Sequence, residues 1–412
     1  MSSTTHVQVA IIGAGPAGTT LSMGLTKNKI THALIDKDTF PRDKICGDAL
    51  SGKVVYALNR VKPDVVEQIA AGTEAFLPSW GISFIAPNGK RLDIPFTTDK
   101  TKVQQAPGFI ATREDFDSLM VDNTPSEYCR LLLGHAVKST QITPNKVFIE
   151  MSDGQHLTAD VVVDCSGVRS DLAKDHGIEM ELNHYCAGLR QYYEGVEGLS
   201  EEGYIELHFI NDVLPGYFWI FPMTNGRVNF GVGMLSASVS KHKVNLKDML
   251  HRIVTTHPVI SKRFANAKAL ESVKGWGLPL GSKKRQLHFD RLLFCGDAAS
   301  LIDPFTGEGI GNAMISAKYA ADVLTDALAA NDFSEKSLQT YTDQVYHHLW
   351  PELSMSHQLQ KMVKYPWLFN FVANKGLKSK EFKILLTSMF ENVDLRKKFK
   401  DPRFYFRLLF NR

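Results

Sequence analysis

The sequence predicts an α/β fold, α+β overall, whose largest part is a nucleotide-binding domain with parallel strands. Three observations predict it: a glycine-rich turn between an apolar strand and a helix near residue 13, a similar turn after an apolar strand near residue 300, and strand-rich segments with hairpin signals between them. We expect a Rossmann-like domain interleaved with an antiparallel β-sheet domain and followed by a helical C-terminal region. The expected boundaries are 1–74, 111–184 and 291–333 for the first domain, 75–110 and 185–290 for the second, and 334–412 for the C-terminal region.

The composition is that of an ordinary soluble protein, with 44% hydrophobic and 22% charged residues among 412. No uncharged apolar run reaches the ~18 residues of a membrane span, and the first residues lack the pattern of a signal peptide. Five cysteines without a CxxC pair argue against a disulfide framework and a zinc site, so we expect a reduced, cytoplasmic chain without a metal. The net charge is +3, but residues 376–412 hold ten Lys or Arg against four Asp or Glu, so the rest of the chain has a net negative charge. The body of the chain therefore gives no case for nucleic-acid binding.

The first glycine motif predicts a strand, a turn and a helix over residues 7–25. Its G-x-G-x-x-G spacing places Gly13 in the tight turn, Gly15 beside a pyrophosphate and Gly18 where the helix packs on the strand. The anion would bind the free N–H groups of the helix N-terminus. A second strand ends in Asp36, eighteen residues after Gly18, at the spacing of a carboxylate that binds ribose. The predicted dinucleotide contacts of this part are Gly13, Ala14, Gly15, Pro16, Ala17, Gly18, Asp36 and Lys37.

A distant motif, at residues 291–324, decides between NAD and FAD. It holds an apolar strand, Gly296-Asp297, a glycine-rich turn and an alanine-rich helix, and it resembles the second fingerprint of the FAD-dependent oxidoreductases related to the aromatic hydroxylases. The resemblance implies that Asp297 binds the ribityl chain of FAD. It also implies that the helix N-terminus points its N–H groups at N1 and O2 of the flavin, where reduced flavin is negative. The residues implied in FAD binding here are Gly296, Asp297, Gly307, Gly309 and Ile310.

Two motifs so far apart are typical of FAD rather than NAD, and no second complete G-x-G-x-x-G occurs in the chain. We therefore expect the electron donor to be NAD(P)H that docks transiently, or a reduced carrier protein. The same resemblance implies that Arg113, directly after a predicted Thr112 helix cap, lies beside the pyrophosphate or the ribityl chain. It also implies that the backbone at Val137 lies against adenine.

The aromatic segment after residue 215 predicts part of a substrate site. An Asn-Gly pair at 225–226 is a strong signal for a hairpin turn between two strands. Strand alternation places Tyr217, Trp219 and Phe221 on one face, either lining an apolar pocket above the flavin or buried in the core. These three residues are the candidate substrate contacts.

Together with the segments PRDKICG and PFTGEGI, the pattern Tyr-x-Trp-x-Phe-Pro at 217–222 resembles the geranylgeranyl reductase family of flavoproteins, over residues 7 to about 330. Those enzymes reduce isolated C=C bonds of polyisoprenoid chains, so the resemblance implies a reductase of an isoprenoid or other lipid-like, apolar substrate. The related tryptophan halogenases carry Trp-x-Trp-x-Ile-Pro at this place. Tyr217 and Phe221 depart from that pattern, which counts against halogenation.

The reaction implied by the resemblance is hydride delivery from flavin N5 to one alkene carbon and protonation of the other carbon by an acid of the protein. Candidate acids are Cys46 and Tyr217. The PRDKICG loop is expected to run along FAD towards the flavin ring, with Gly47 allowing close backbone approach and Arg42 facing either the phosphates or solvent. A cation beside the thiol would favour the thiolate, which has no proton to give. The alternative for Cys46 is a compact residue that shapes the flavin pocket.

Two other functions stay open on the sequence alone. One is an FAD-dependent monooxygenase or halogenase-like enzyme that acts on an aromatic or polyketide-like substrate. The other is a flavin-binding electron-transfer module without a substrate of its own. A substrate-sized apolar cavity over the flavin would argue against the second.

The chain ends in LRKKFKDPRFYFRLLFNR, where basic and large apolar residues interleave over 395–412. That composition suits peripheral contact with anionic lipid at the inner membrane face. The alternative is a terminal segment that packs on the body of the protein with its lysines in water.

Overall fold

The computed structural model of the chain describes residues 5–97, 99–367, 369–370 and 374. Its strands in chain order are β1 (Thr5–Ile12), β2 (His32–Asp36), β3 (Ala49–Leu50), β4 (Leu77–Ser79), β5 (Gly81–Ile85), β6 (Arg91–Pro95), β7 (Gly108–Ile110), β8 (Cys129–Leu133), β9 (Val137–Ile142), β10 (Val147–Met151), β11 (His156–Asp164), β12 (Tyr185–Glu194), β13 (Ile205–His208), β14 (Gly216–Pro222), β15 (Arg227–Leu235), β16 (Lys268–Ala269), β17 (Lys274–Pro279), β18 (His288–Phe289) and β19 (Leu292–Phe294).

The helices cover the sheets and carry the loops that form the site. In chain order they are α1 (Pro16–Lys27), α2 (Gly52–Val61), α3 (Asp64–Ala71), α4 (Arg113–Asp122), α5 (Asp171–Asp175), α6 (Ser236–His242), α7 (Leu246–Thr256), α8 (Ile260–Arg263), α9 (Ile310–Ala330) and α10 (Glu335–Met362). The predicted cap of α4 is confirmed, because the Thr112 side chain accepts a hydrogen bond from the backbone N–H of Asp115.

The first sheet has the strand order β18-β19-β11-β1-β2-β8, and β9 and β10 extend it from β11. β1 pairs in parallel with both β2 and β11, and β11 pairs in parallel with β19. These strands are rich in Val, Ile and Ala, as expected for parallel strands that are buried on both faces. α1 and α9 pack closely, since a Cβ placed on Gly24 would lie 2.8 Å from the Cβ of Ala321. The α/β prediction with a parallel core is confirmed.

The second sheet, in the order β16-β12-β15-β14-β13-β5-β6, is antiparallel except for the parallel pair of β5 and β13. The predicted hairpin is confirmed: β14 and β15 pair in antiparallel register, and Asn225 (φ 58°) and Gly226 (φ 67°) both adopt left-handed conformations in the turn. A small third sheet, β3-β7-β4, lies in the connections between the two. β18, just inside the range expected for the antiparallel domain, pairs with β19 in the first sheet.

The C-terminal part begins with α10, whose Ser334 side chain caps the helix by accepting from the N–H of Ser337. Within the described part of the chain, no helix is both long enough and apolar enough to cross a membrane. The basic aromatic segment at 395–412, for which membrane contact is predicted, lies outside the described residues.

Candidate cofactor and substrate site

The first glycine turn leaves an open space at the N-terminus of α1. Gly13 has φ +103°, and a Cβ there would lie 2.5 Å from the carbonyl oxygen of Cys165 at the end of β11. A Cβ on Gly18 would lie 1.8 Å from the carbonyl oxygen of Gly13. A Cβ on Gly15, in contrast, would have only one atom of the described residues outside its own neighbours within 4 Å, namely Arg42 Nη2 at 3.8 Å. Because no side chain caps α1, its N–H groups are available to an anion.

Asp36 ends β2 with its carboxylate fixed by two backbone donors. Its Oδ2 accepts from the N–H of Ala14 at 2.7 Å, and its Oδ1 accepts from the N–H of Asp38 at 2.9 Å. The side chain lines the cavity beside the glycine turn. Each carboxylate oxygen keeps a second lone pair, so a ribose hydroxyl can still be bound there. The neighbouring Lys37 is exposed and lies outside the cavity.

Two arginines make the wall beside α1 positive. Arg113 donates twice to Asp117, with both distances 2.7 Å, and Arg42 Nη2 lies 3.1 Å from the same carboxylate. Asp117 is 1% exposed. Arg42 Nε lies 3.8 Å from Asp38 Oδ2, beyond hydrogen-bond distance, and is buried without a hydrogen-bond partner in the described structure. A pyrophosphate could supply an acceptor for this group.

The second glycine motif forms the turn before α9. Gly307 has φ +74° in that turn, and the Glu308 side chain accepts a hydrogen bond from the N–H of Gly311, in the first turn of α9, at 2.8 Å. Asp297 lines the cavity below the turn, and a Cβ on Gly309 would lie 3.7 Å from its Oδ1. Burial raises the pKa of Asp297, while Lys44 and Arg113 oppose that rise. The other N–H groups in the first turn of α9 can interact with an electron-rich ring edge, as the resemblance implies.

The face of β14 predicted to meet the substrate forms an apolar wall. Tyr217, Trp219 and Phe221 all line the cavity. The alternate side chains, Phe218 and Ile220, pack in a separate core on the other side of the sheet. The strand alternation is therefore confirmed, whereas contact of the wall with a substrate stays a prediction.

The loop of Cys46 and Gly47 packs against this wall. A Cβ on Gly47 would lie 3.1 Å from Phe221 Cε2, so a glycine keeps the contact without strain. The backbone carbonyl of Cys46 accepts from Asn229 Nδ2 at 2.8 Å, and the Arg113 side chain interacts with that of Cys46. The predicted loop therefore lies between the cation wall and the apolar wall.

Tyr217 joins the apolar wall to the second glycine turn. Its hydroxyl donates to the carbonyl oxygen of Thr306 at 2.5 Å, and burial raises the pKa of Tyr217 above its ordinary value. Both facts favour a role in positioning the turn before α9. The role of Tyr217 as an acid stays a prediction.

One cavity brings most of the predicted residues together. It encloses about 1700 Å³ including its open mouth. The predicted residues that line it are Gly13, Gly15, Pro16, Ala17, Asp36, Arg42, Cys46, Gly47, Arg113, Tyr217, Trp219, Phe221, Gly296, Asp297, Gly307, Gly309 and Ile310. Those that do not line it are Ala14, Gly18, Lys37 and Val137, of which Val137 is half-buried at the start of β9.

FAD fits this arrangement on three observations. The N-termini of α1 and α9 and a pair of arginines suit its pyrophosphate and its ring edge, and the open space at Gly15 lets a phosphate approach the backbone. Asp36 and Asp297 suit its ribose and its ribityl chain. Among the described residues, no group of three or more His, Cys, Asp or Glu is arranged to hold a metal ion.

The sequence prediction missed three polar residues at the junction of loop and sheet: the buried Asp48 and Asn229 and the half-buried Tyr192. Asp48 lines the cavity and is completely buried, at 0% exposure. The Tyr192 hydroxyl and Asn229 Nδ2 donate to its Oδ2 at 2.5 and 2.8 Å. The only sequence signal for this cluster is an acidic residue directly after Cys-Gly in the PRDKICG loop.

Comparison with known proteins gives the same cofactor. The sequence model of the FAD binding domain family matches residues 6–351. A digeranylgeranylglycerophospholipid reductase of Methanosarcina acetivorans is 27% identical over 354 residues, which cover 84% of this chain and 80% of the relative. The match to the family model runs through both glycine motifs.

Solved structures share the fold. A geranylgeranyl bacteriochlorophyll reductase-like protein of Thermoplasma acidophilum superposes with a TM-score of 0.80 at 20% identity, covering 97% of this chain and 99% of the other. A flavin-dependent brominase superposes with a TM-score of 0.74 at 22% identity, covering 94% and 95%. FAD is the cofactor of this chain, which belongs to the FAD binding domain family.

Proposed function

We propose that this FAD-dependent oxidoreductase reduces isolated C=C bonds in the prenyl chains of an isoprenoid lipid. The observation that carries the proposal is the apolar wall of Tyr217, Trp219 and Phe221, which lines the same cavity as both glycine turns. An apolar chain is the kind of ligand that such a wall accommodates. Similarity to digeranylgeranylglycerophospholipid reductases over 84% of the chain supports the same substrate class.

Different parts of the chain have different roles around the cofactor. When bound and reduced, FAD supplies a hydride from its N5 position. The N-terminus of α1, with Arg42 and Arg113, binds the pyrophosphate, and the N-terminus of α9 stabilises negative charge on the ring. The apolar wall excludes water, which strengthens the electrostatic interactions of the groups that hold protons. Cys46 and Tyr217 are the acids predicted from the sequence.

The electron donor in this proposal is NAD(P)H or a reduced carrier protein. The chain carries one complete G-x-G-x-x-G motif, and its turn is assigned to FAD. A nicotinamide donor would therefore bind transiently and leave before the lipid is reduced. Rapid bleaching of the flavin absorbance by NADH or NADPH under anaerobic conditions would identify that donor, and its absence would point to a carrier protein.

The proposal is tested by reducing the purified flavoprotein anaerobically with dithionite and adding a geranylgeranylated glycerophospholipid. Mass spectrometry should show products heavier by two hydrogens per reduced double bond. Gly15→Asp, which places a carboxylate where the pyrophosphate binds, should retain no FAD and form no product. Ser152→Asp adds the same charge at an exposed site and should behave as the wild type. Unchanged lipid with the wild type, or an oxygenated or halogenated aromatic product in aerobic assays, would overturn the proposal.

We also propose that the basic aromatic segment at 395–412 holds the protein at anionic membrane surfaces, where its lipid substrate resides. The support is the interleaving of basic and large apolar residues in that segment. Co-sedimentation with vesicles that contain anionic lipid should fall when residues 396–412 are deleted. Equal binding by the full-length and truncated chains would contradict it.

A further inference from the structure

A buried carboxyl group lies at the centre of the cavity wall without a role so far. Asp48 follows Cys46-Gly47 and has φ 68°, a left-handed conformation that Asp tolerates better than most residues. It is 0% exposed, yet it lines the same cavity as Trp219 and Cys46. The turn thus directs the acid inwards from the loop that borders the cofactor site.

The hydrogen bonds of Asp48 distinguish its two oxygens. Oδ2 accepts from the Tyr192 hydroxyl at 2.5 Å and from Asn229 Nδ2 at 2.8 Å. Trp219 Nε1 donates to Asn229 Oδ1 at 2.8 Å, which fixes the amide with its NH₂ group towards Asp48. Oδ1 is buried and has no hydrogen-bond partner in the described structure. When Asp48 is neutral, its proton therefore resides on Oδ1.

The surroundings of Asp48 allow both protonation states near neutral pH. Burial raises the pKa of Asp48 to about 6, while the hydrogen bonds from Tyr192 and Asn229 and the charges of Arg190 and Arg113 oppose that rise. Arg190 reaches the site from β12 but is paired with Asp43 and Glu271. Cys46, from the same loop, is the other titratable group that faces the Tyr192 hydroxyl. An acid with such a pKa can release its proton and recover it from solvent in each cycle.

We propose that Asp48 is the catalytic acid of the reduction, an inference that rests on the proposed function. The π electron pair of the double bond takes the proton from Asp48 Oδ1 at one carbon. The other carbon accepts the hydride that reduced FAD provides. The alkene gains two hydrogens, and Asp48 becomes a carboxylate whose charge the Tyr192 hydroxyl and Asn229 amide stabilise. A proton from solvent then restores the acid.

Asp48 suits this step better than the acids expected from the sequence. The proton of Tyr217 is engaged by the carbonyl oxygen of Thr306, and burial raises its pKa, so it is held more tightly than in free tyrosine. Cys46 has its backbone carbonyl bound to Asn229, so Cys46 and Asp48 share one donor. Cys46 therefore positions the loop that carries the acid.

The protonation of Asp48 is measurable without turnover. Infrared difference spectra of the oxidised holoenzyme between pH 5 and pH 8 should show a buried carboxylic acid that ionises near pH 6. Asp48→Asn should remove that signal and keep the flavin absorbance, whereas Asp175→Asn, at an exposed site, should keep both. Glu352, whose pKa burial raises to about 7, should give a separate signal that both variants keep. An undiminished signal near pH 6 in Asp48→Asn would overturn the assignment.

The rate gives the second test, in single turnovers of the dithionite-reduced enzyme with lipid. Asp48→Asn should slow lipid reduction by about 10²–10⁴-fold, the usual contribution of a general acid. The wild-type rate should fall as the pH rises through about 6. Tyr192→Phe removes a hydrogen bond that lowers the pKa of Asp48, so it should shift this fall to higher pH.

The two proposals fail in different ways. A wild type that converts no lipid overturns the proposed function and this step with it. A converting wild type whose Asp48→Asn variant keeps its rate within twofold overturns the acid role alone. An unchanged pH profile in Tyr192→Phe would also overturn that role. The Tyr192→Phe variant therefore decides the question even if Asp48→Asn does not fold.

Discussion

Three buried carboxylates at the cavity wall have different partners, and the partners decide what each can do. Asp36 accepts from two backbone N–H groups, which orient it. Asp117 is held by two guanidinium groups, which it positions. Asp48 keeps one oxygen without a partner among the described residues. Of the three, only Asp48 has an oxygen that can carry a proton without a hydrogen bond holding it, so that the proton can move to a ligand.

Cys46→Ser tests the remaining acid candidate of the loop. We expect the variant to keep the flavin spectrum and to reduce lipid within about tenfold of the wild-type rate, a difference of about 1.4 kcal/mol in the barrier. The reason is that the backbone carbonyl of Cys46, which the substitution keeps, makes the contact with Asn229. The measurement is the single-turnover rate with reduced enzyme. A loss of 10²-fold or more with an intact flavin spectrum would instead identify the thiol as a catalytic acid.

Local spacing explains which site residues the sequence could predict. Gly13, Asp36 and Asp297 belong to motifs in which strand, turn and helix follow each other, so their places are readable from a short window. Asp48 is different, because Tyr192 lies 144 residues away and Asn229 181 residues away. No local sequence pattern predicts that the loop after β2, which carries Asp48, packs against strands β12 and β15 of the second sheet.

At the scale of elements, β15 supports the apolar wall with glycines. A Cβ on Gly231 would lie 2.1 Å from the carbonyl oxygen of Leu189 and 2.3 Å from Trp219 Cζ2. The indole ring therefore lies directly over the backbone of its partner strand. A Cβ on Gly233, two residues further along β15, would lie 3.8 Å from Trp219 Cζ3, which is an ordinary contact distance.

Gly231→Ala should destabilise the protein by about 1–3 kcal/mol, because the new methyl group must displace the Trp219 ring or the strand. It should also slow lipid reduction, since Trp219 lines the cavity. Gly233→Ala is the matched control and should change the free energy of unfolding far less. Denaturant titration of both variants provides the measurement. Equal effects of the two substitutions would contradict the close approach at Gly231.

A buried cluster joins α2, α9 and α10 next to the second glycine turn. Lys53 Nζ lies 2.7 Å from Glu352 Oε1, 2.9 Å from Asn312 Oδ1 and 3.6 Å from Glu308 Oε2. Burial raises the pKa of Glu352 to about 7, and Lys53 opposes that rise. The ammonium group thus holds two carboxylates, of Glu308 and Glu352, and the Asn312 amide together at the start of α9.

Lys53→Met should destabilise the fold by about 3–5 kcal/mol at pH 8, because it leaves buried carboxylates without their cation. The loss should be smaller at pH 5. Without Lys53 the pKa of Glu352 rises further, so the folded state keeps a proton that the unfolded chain releases, and stability falls as the pH rises. Unfolding titrations at both pH values measure this. Lys90→Met, at an exposed site, should show neither effect, and an equal loss at both pH values would contradict the assignment.

At the scale of the whole molecule, FAD should stabilise the fold as one unit, because residues of both large sheets line its cavity. FAD at 100 times its dissociation constant should raise the free energy of unfolding by about 2.7 kcal/mol. NAD at the same concentration should leave it unchanged, since the second glycine motif is specific to the flavin. Thermal unfolding with each nucleotide checks this. A shift produced by NAD as large as that by FAD would contradict the assignment of both motifs to FAD.

The path of the chain through the two sheets has a consequence for biosynthesis. Gly13 and Gly307 line one cavity, and β19 joins the first sheet only after the second sheet's strands have been made. At 5–20 residues per second, roughly 15–60 s separate the two glycine turns on the ribosome. A nascent chain therefore cannot complete its FAD site until the turn at Gly307 has been made. Loading of the cofactor follows synthesis of both large sheets, and flavin shortage would act on chains that already contain them.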